Sequence, residues 1–236
     1  MYDRRTAALY DAIYRGVGKD YAAEAATVAQ VVHERAPAAA TLLDVACGTG
    51  GHLEHLRRAF ACEGVEGSEH MAGIARTKLP DLPVHVADMR SLDLGRTFDA
   101  VTCLFSSVGY LLEIDDLRRG IGRMAAHVAP GGVLVIEPWL DPEAWRDGHV
   151  AAVAGHGDDL AVARVSRSHR VGRRSVLEMH YTVATRAGVD RFSEQEVLAL
   201  HPAQAHRSAM VDAGLATSFE PEGLTGRGLW IGVRPG

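Results

Sequence analysis

Three acidic residues stand at the ends of three short β-prone runs: Asp44 after Leu42-Leu43, Glu66 after Gly64-Val65, and Asp88 after Val84-His85-Val86-Ala87. At the carboxyl ends of strands in an open α/β sheet, such groups face the crevice where these sheets take ligands. Asp44 comes just before the turn Cys47-Gly48-Thr49-Gly50, where it would repel a pyrophosphate and attract a cation. Glu66 lies a little over twenty residues further on, a spacing that suits hydrogen bonds to both ribose hydroxyls. Asp88 can accept from an adenine amino group while the thioether of Met89 lies on the ring. Singly, each has an ordinary explanation: a strand–turn–helix corner, an acid favoured by a helix dipole, a loop cap. Together they converge on one rim of a sheet, which packing does not explain.

The turn itself departs from the dinucleotide pattern. Gly48, Gly50 and Gly51 leave no third glycine at the expected offset. With an acid at its mouth, the turn reads as a loop for S-adenosylmethionine, whose amine and sulfonium are both cationic.

The elements that must position these acids alternate along the chain. Helical periodicity runs from Tyr2 to about Arg35, broken at Gly16-Val17-Gly18 and ended by Pro37. Its tyrosines, Tyr2, Tyr10, Tyr14 and Tyr21, either pack on a sheet or form a lid whose phenols reach the pocket. Strands are expected at Thr41–Val45, Cys62–Gly67, Val84–Ala87, Phe98–Phe105 and Val133–Glu137, with helices at Gly51–Ala61, Met71–Lys78 and Asp115–Val128 between them. Such alternation predicts an α/β fold with a doubly wound, mostly parallel sheet.

After Trp139 the pattern changes to period two. Leu160–Arg167, Ser175–Val183 and Phe192–Ala199 read as antiparallel strands, with Leu177, Met179, Tyr181 and Val183 on one face and Glu178, His180 and Thr182 on the other. A last helix, Ala203–Ala213, is followed by edge strands at Leu215–Glu220 and Leu229–Val233. The expected organisation is therefore one ligand-binding unit, residues 1–139 and 201–236, with residues 140–200 inserted for substrate binding or for pairing in a homodimer.

Composition narrows the classes. The chain has 236 residues, 47% of them hydrophobic, and a formal net charge of -5 without a basic block, so nucleic acid is a poor partner. No apolar run reaches membrane-spanning length and the N-terminus lacks the apolar core of a signal peptide. Cys47, Cys62 and Cys103 fall in core or turn positions, as expected of free thiols in a cytoplasmic protein. The histidines form no metal-ligand grouping with cysteines or acids, so no metal is expected.

The segments Asp44-Val45-Ala46-Cys47-Gly48-Thr49-Gly50, Val65-Glu66-Gly67-Ser68-Glu69-His70-Met71 and Val84-His85-Val86-Ala87-Asp88-Met89-Arg90 resemble those of class I S-adenosylmethionine methyltransferases. With Leu9-Tyr10-Asp11-Ala12-Ile13-Tyr14, Gly18-Lys19-Asp20-Tyr21, Ile136-Glu137-Pro138-Trp139 and Gly226-Arg227-Gly228-Leu229, the chain is similar, end to end, to the nucleotide-sugar N,N-dimethyltransferases of desosamine and mycaminose type. The resemblance implies a seven-stranded Rossmann-like sheet and a role in antibiotic sugar biosynthesis. It implies cofactor contacts from Tyr21, Asp44, Ala46, Gly48, Gly50, Glu66, Gly67, Met71, Asp88, Met89 and Leu104. It departs at Tyr110, in a turn where relatives usually carry a histidine.

Methyl transfer to an amine needs alignment, desolvation and removal of the ammonium proton. Tyr14 and Tyr110 are the candidates nearest the methyl, and Glu137 could hold a substrate ammonium or a sugar hydroxyl. The resemblance implies a thymidine diphosphate (dTDP) aminosugar as substrate, so a guanidinium should meet the diphosphate. Arg227, expected to be exposed between two glycines, is the first choice; Arg164, Arg167 and Arg170 are others. Trp139 and Trp145 could stack on base or sugar, and His180 could hydrogen-bond substrate. Other readings remain: another small acceptor, a binding module that senses the cofactor, and a nicotinamide dehydrogenase, which Asp44 disfavours.

Overall fold

The computed structural model describes residues 3–236; the expectation for Tyr2 lies outside the described residues. Two helices come first, α1 (Arg4–Gly16) and α2 (Tyr21–Arg35), capped by the Asp3 and Asp20 carboxylates and separated where the glycine break was expected. A parallel series follows: β1 (Thr41–Val45), α3 (Leu53–Leu56), β2 (Ala61–Glu66), α4 (Glu69–Lys78), β3 (Val84–Val86), β4 (Phe98–Cys103), α5 (Ile114–Ala126) and β5 (Val128–Ile136). The chain closes with α6 (Ala203–Asp212), β10 (Ala216–Glu220) and β11 (Leu229–Val233).

The large sheet has seven strands in the order β10-β11-β5-β4-β1-β2-β3, with β11 antiparallel to both neighbours. The order reverses where β1 lies between β2 and β4, so a crevice opens at the carboxyl ends of β1 and β4. Both faces of this sheet are covered. Leu42 and Leu43 are adjacent and both inaccessible, yet they belong to cores on opposite faces, as period-two geometry requires.

Several boundaries differ from expectation. The helix expected from Gly51 to Ala61 is a single turn, because Arg58 and Ala59 donate to carbonyls three residues back. Strand β4 stops at Cys103, and Phe105 and Ser106 turn off with φ of 51° and 64°. Strand β5 begins at Val128 and runs through Gly132, where a Cβ would press within 2.6 Å of the Asp99 carbonyl.

The insertion is a separate antiparallel sheet of four strands: β6 (Val150–His156), β7 (Leu160–Val171), β8 (Arg174–Thr185) and β9 (Gly188–Ala199). Three strands were expected. The first was missed because Val150-Ala151-Ala152-Val153-Ala154-Gly155 shows no alternation of polar and apolar residues.

Helix α1 packs on this second sheet. Leu9, Ala12 and Ile13 form a core with Val162, Met179, Tyr181 and Val183. Two glycines make the approach close: a Cβ on Gly16 would strike the Ala154 carbonyl, and one on Gly155 would strike the Ala12 carbonyl.

Candidate active site

Strand β1 runs into a left-handed turn. Ala46, Gly48 and Gly50 have φ of 60°, 59° and 79°, so the backbone coils tightly before α3. The Cys47 amide donates to the Val65 carbonyl, and the Gly48 amide donates to Glu66 Oε2 at 2.9 Å. The other Glu66 oxygen accepts the Ser68 amide at 2.8 Å. Glu66 is thereby fixed in place at the end of β2, beside the loop.

Asp44 lies inside the crevice, 1% exposed. It is the register partner of Thr102 on β4, whose hydroxyl donates to Asp44 Oδ1 at 2.7 Å. Burial above all, aided by the Glu66 charge, pushes the Asp44 carboxyl up to about 6 against the opposing effects of His52 and Thr102. A buried carboxylate with one hydrogen bond favours a cation beside it.

A cavity of about 30 Å³ lies over Asp44, walled by Gly48, Leu104, Phe105, Tyr10 and Tyr21. Tyr21 lies so close that a Cβ on Gly51 would come within 2.8 Å of its ring. The expected cofactor residues Tyr21, Asp44, Ala46, Gly48 and Leu104 therefore meet around one space. Met71 is buried beneath the loop, its methyl 3.6 Å from where a Gly48 Cβ would be. Gly50 backs onto Leu79 on the far side of the turn, and Gly67, half-buried, follows Glu66. Asp88 sits outside this cavity and is held by the backbone and guanidinium of Arg90, whose hydrogen bonds keep its carboxyl below the usual range. Met89 packs against the core on the α5 face of the sheet.

The N-terminal helices are bound to the loop by residues that the sequence reading passed over. Asp11 of α1 accepts from Thr49 Oγ1 and from Lys78 Nζ, both at 2.6 Å. Lys19, just before α2, reaches Glu24 at 2.7 Å, and Glu24 meets His52 Nε2 at 2.7 Å. Burial lowers the Lys19 ammonium in spite of Glu24, and its Nζ sits 3.7 Å above the Phe105 ring. Burial raises Glu24, but the hydrogen bonds from His52 and Lys19 prevail and its carboxyl ends below the usual range. The two lysines of the chain thus both pair with acids of the N-terminal helices.

A second set also gathers around Phe105. The Tyr14 ring stands edge-on to Phe105 at 4.9 Å and against Tyr10 at 4.5 Å. Arg164, on β7, places its guanidinium 5.9 Å from the Tyr14 ring. Arg227 is half-buried rather than exposed, stacked 5.0 Å from Trp139 and 5.7 Å from Phe105. Glu137 is fully buried; it accepts the Phe105 amide at 2.7 Å and the Thr225 hydroxyl, and so supports the left-handed turn. Trp139 donates to Ser175 of β8 at 2.9 Å. Tyr110 ends a 3₁₀ turn, Ser107–Tyr110, and is close enough to Tyr10 to act on its phenol.

Four expected substrate groups do not join them. His180 points from the outer face of the inserted sheet and meets Ser193 at 2.7 Å. Arg167 is exposed, and Arg170 closes its hairpin onto the Gly172 carbonyl. Trp145 is buried beside Asp147.

Residues 42–132 match a methyltransferase domain model. The dTDP-4-amino-2,3,4,6-tetradeoxy-D-glucose N,N-dimethyltransferase of Saccharopolyspora spinosa is 43% identical over 99% of this chain and 94% of its own. The dTDP-3-amino-3,4,6-trideoxy-alpha-D-glucopyranose N,N-dimethyltransferase of Streptomyces venezuelae is 46% identical over 99% of both chains. This chain belongs to the dTDP-aminosugar N,N-dimethyltransferase family. Its fold matches the crystal structure of Streptomyces venezuelae DesVI with a TM-score of 0.94 and 45% identity over the whole of both chains. The S-adenosylmethionine-bound amino pentose methyltransferase CalS10 from Micromonospora echinaspora gives a TM-score of 0.88 at 44% identity, over 96% of each chain.

Proposed function

We propose that this protein transfers methyl groups from S-adenosylmethionine to the amino group of a dTDP-linked amino-deoxysugar, twice in succession. The single observation that carries the reading is the buried Asp44 carboxylate beneath a left-handed glycine turn and an aromatic wall, in a chain related over its full length to enzymes named for that reaction. The residues present fit the cofactor. Asp44 suits its cationic end, and Glu66, fixed by two backbone amides, suits its ribose. Tyr21 and Leu104 enclose it.

The bound cofactor supplies an electrophilic methyl group; the chain supplies alignment and dryness. Tyr10, Tyr14 and Phe105 form an aromatic partition between the cofactor cavity and the face of the inserted sheet. A substrate amine held on the Tyr14 side approaches in line with the methyl. Arg227, stacked on Trp139 at the same mouth, suits the diphosphate, and Arg164 reaches the sugar side of Tyr14. Tyr14 and Tyr110 orient the amine through their hydroxyls.

The test is turnover. The protein is incubated with S-adenosylmethionine and dTDP sugars bearing the amine at different carbons. S-adenosylhomocysteine release is measured, with mass spectrometry of the sugar nucleotide. Mono- and dimethylated products are expected; cofactor binding without turnover on any amine would overturn the reading in favour of a cofactor sensor.

A further inference from the structure

We propose that Glu137 is a positioning residue that ties the Arg227 loop to the wall of the cofactor cavity, so that donor and acceptor bind cooperatively; the inference rests on the function proposed above. Phe105 and Ser106 follow β4 with φ of 51° and 64°, two successive residues other than glycine in the left-handed region. Such a backbone persists only where its surroundings hold it. Here the holder is Glu137. Its own amide donates to the Cys103 carbonyl at 3.0 Å, which sets the fully buried side chain against the turn. One carboxylate oxygen accepts the Phe105 amide at 2.7 Å, and the other accepts the Thr225 hydroxyl. Phe105, held in this way, lines the cavity over Asp44.

Thr225 belongs to the loop that carries Arg227. That loop closes on itself: the Gly226 amide donates to the Glu222 carbonyl at 2.9 Å, and a Cβ on Gly223 would come within 2.5 Å of the Gly228 backbone. A short closed loop moves as a unit, so fixing Thr225 also fixes Arg227. The guanidinium returns to the same turn, donating to Ser106 Oγ at 3.3 Å, while that hydroxyl donates to the Pro138 carbonyl at 2.8 Å. Two separate contacts, Thr225 to Glu137 and Arg227 to Ser106, therefore join the loop to the left-handed turn. The second engages a single N–H of the guanidinium fork and leaves the others for a diphosphate. A diphosphate on Arg227 favours the arrangement in which Phe105 stands at the cavity, and a nucleoside against Phe105 favours the arrangement that presents Arg227. Each ligand selects the state the other needs, and the effect is equal in both directions.

The experiment is calorimetry on the whole chain: S-adenosylhomocysteine binding with and without saturating thymidine diphosphate, and the reverse titration. In wild type each ligand is expected to tighten the other by the same factor, on the order of fivefold to tenfold. Thr225→Val, at an exposed position, removes the hydroxyl and should abolish this coupling while affinity for S-adenosylhomocysteine alone stays close to wild type. Thr225→Ser should restore the coupling. Glu137→Gln should retain most of it, because an amide can still accept from Phe105 and donate to Thr225. Wild type that binds S-adenosylhomocysteine equally, or more weakly, when thymidine diphosphate is bound overturns the inference. So does a Thr225→Val protein that keeps the wild-type coupling, or one whose affinity for S-adenosylhomocysteine alone falls as far as the coupling does, which would make the contact a support of the cavity only. Wild type that binds no thymidine diphosphate overturns the acceptor reading itself and takes this inference with it.

Discussion

The Thr102 hydroxyl donates to Asp44 across the junction of β1 and β4, at 2.7 Å, where the strand order reverses. This bond opposes the effect of burial, which pushes the carboxyl up to about 6. The ionised form attracts a cationic ligand and the protonated form does not. Affinity for S-adenosylmethionine should therefore be flat above about pH 7 and fall roughly tenfold per unit below about 6. Calorimetry across that range checks it. Thr102→Val should move the fall to higher pH, because one influence that lowers the carboxyl is gone, and Asp44→Asn should remove the pH dependence along with most of the affinity.

Glu66 holds two amides of the cofactor crevice, those of Gly48 and Ser68. Glu66→Ala should weaken cofactor binding by about 1–3 kcal/mol, through lost charged hydrogen bonds to the ribose and a looser glycine turn. Unchanged affinity would remove Glu66 from the cofactor site.

Asp11 joins three elements, because its two oxygens serve Thr49 of the loop and Lys78 of α4. The cavity behind it is narrow, so α1 must yield before a nucleoside can enter or leave. Asp11→Ala should speed cofactor release about threefold to tenfold, the effect of a half-buried ion pair worth on the order of 1 kcal/mol. Stopped-flow displacement measures it; a release rate equal to wild type would show that the lid is held elsewhere.

Arg227 lies over the rings of both Trp139 and Phe105. Arg227→Ala should raise KM for the sugar nucleotide by about tenfold or more and leave cofactor affinity alone. Arg227→Lys should recover little, since lysine neither stacks flat nor forks to a diphosphate. A defect confined to cofactor binding would place Arg227 in the other half of the site.

Acid stability has a separate origin. Burial drives the His206 imidazole down to about 4, beneath Trp230, and lowers His201 beside it. Both bind protons more readily when unfolded. Stability should be complete above about pH 6.5 and fall as pH drops towards 4, by on the order of 3 kcal/mol from His206 alone. Denaturant melts across that window should show the slope, and His206→Phe should flatten it.

The glycine turn and its acids were legible because their signals are local. An acid at a strand end, a glycine that must take positive φ and an alternating series of elements all declare themselves within a few residues, and Asp44, Gly48 and Glu66 lie together as their spacing implied. The cluster around Phe105 depends on contacts between distant segments. Period two separated His180 from Met179 and Tyr181 correctly, but only the docking of α1 decides which face meets the pocket, and it chose the side of Arg164. The same cause hid Lys19 and Glu24, ordinary charged residues until the fold surrounds them. Strand β6 escaped notice because alanine and glycine carry little strand preference.

The interlocked glycines, Gly16 against Ala154 and Gly155 against Ala12, make the first helix and the inserted sheet one mechanical piece. Remodelling the insertion to accept a different sugar would therefore also disturb how the donor is retained. Changes of acceptor in this lineage should concentrate in side chains, while the backbone seam between the first helix and β6 resists drift.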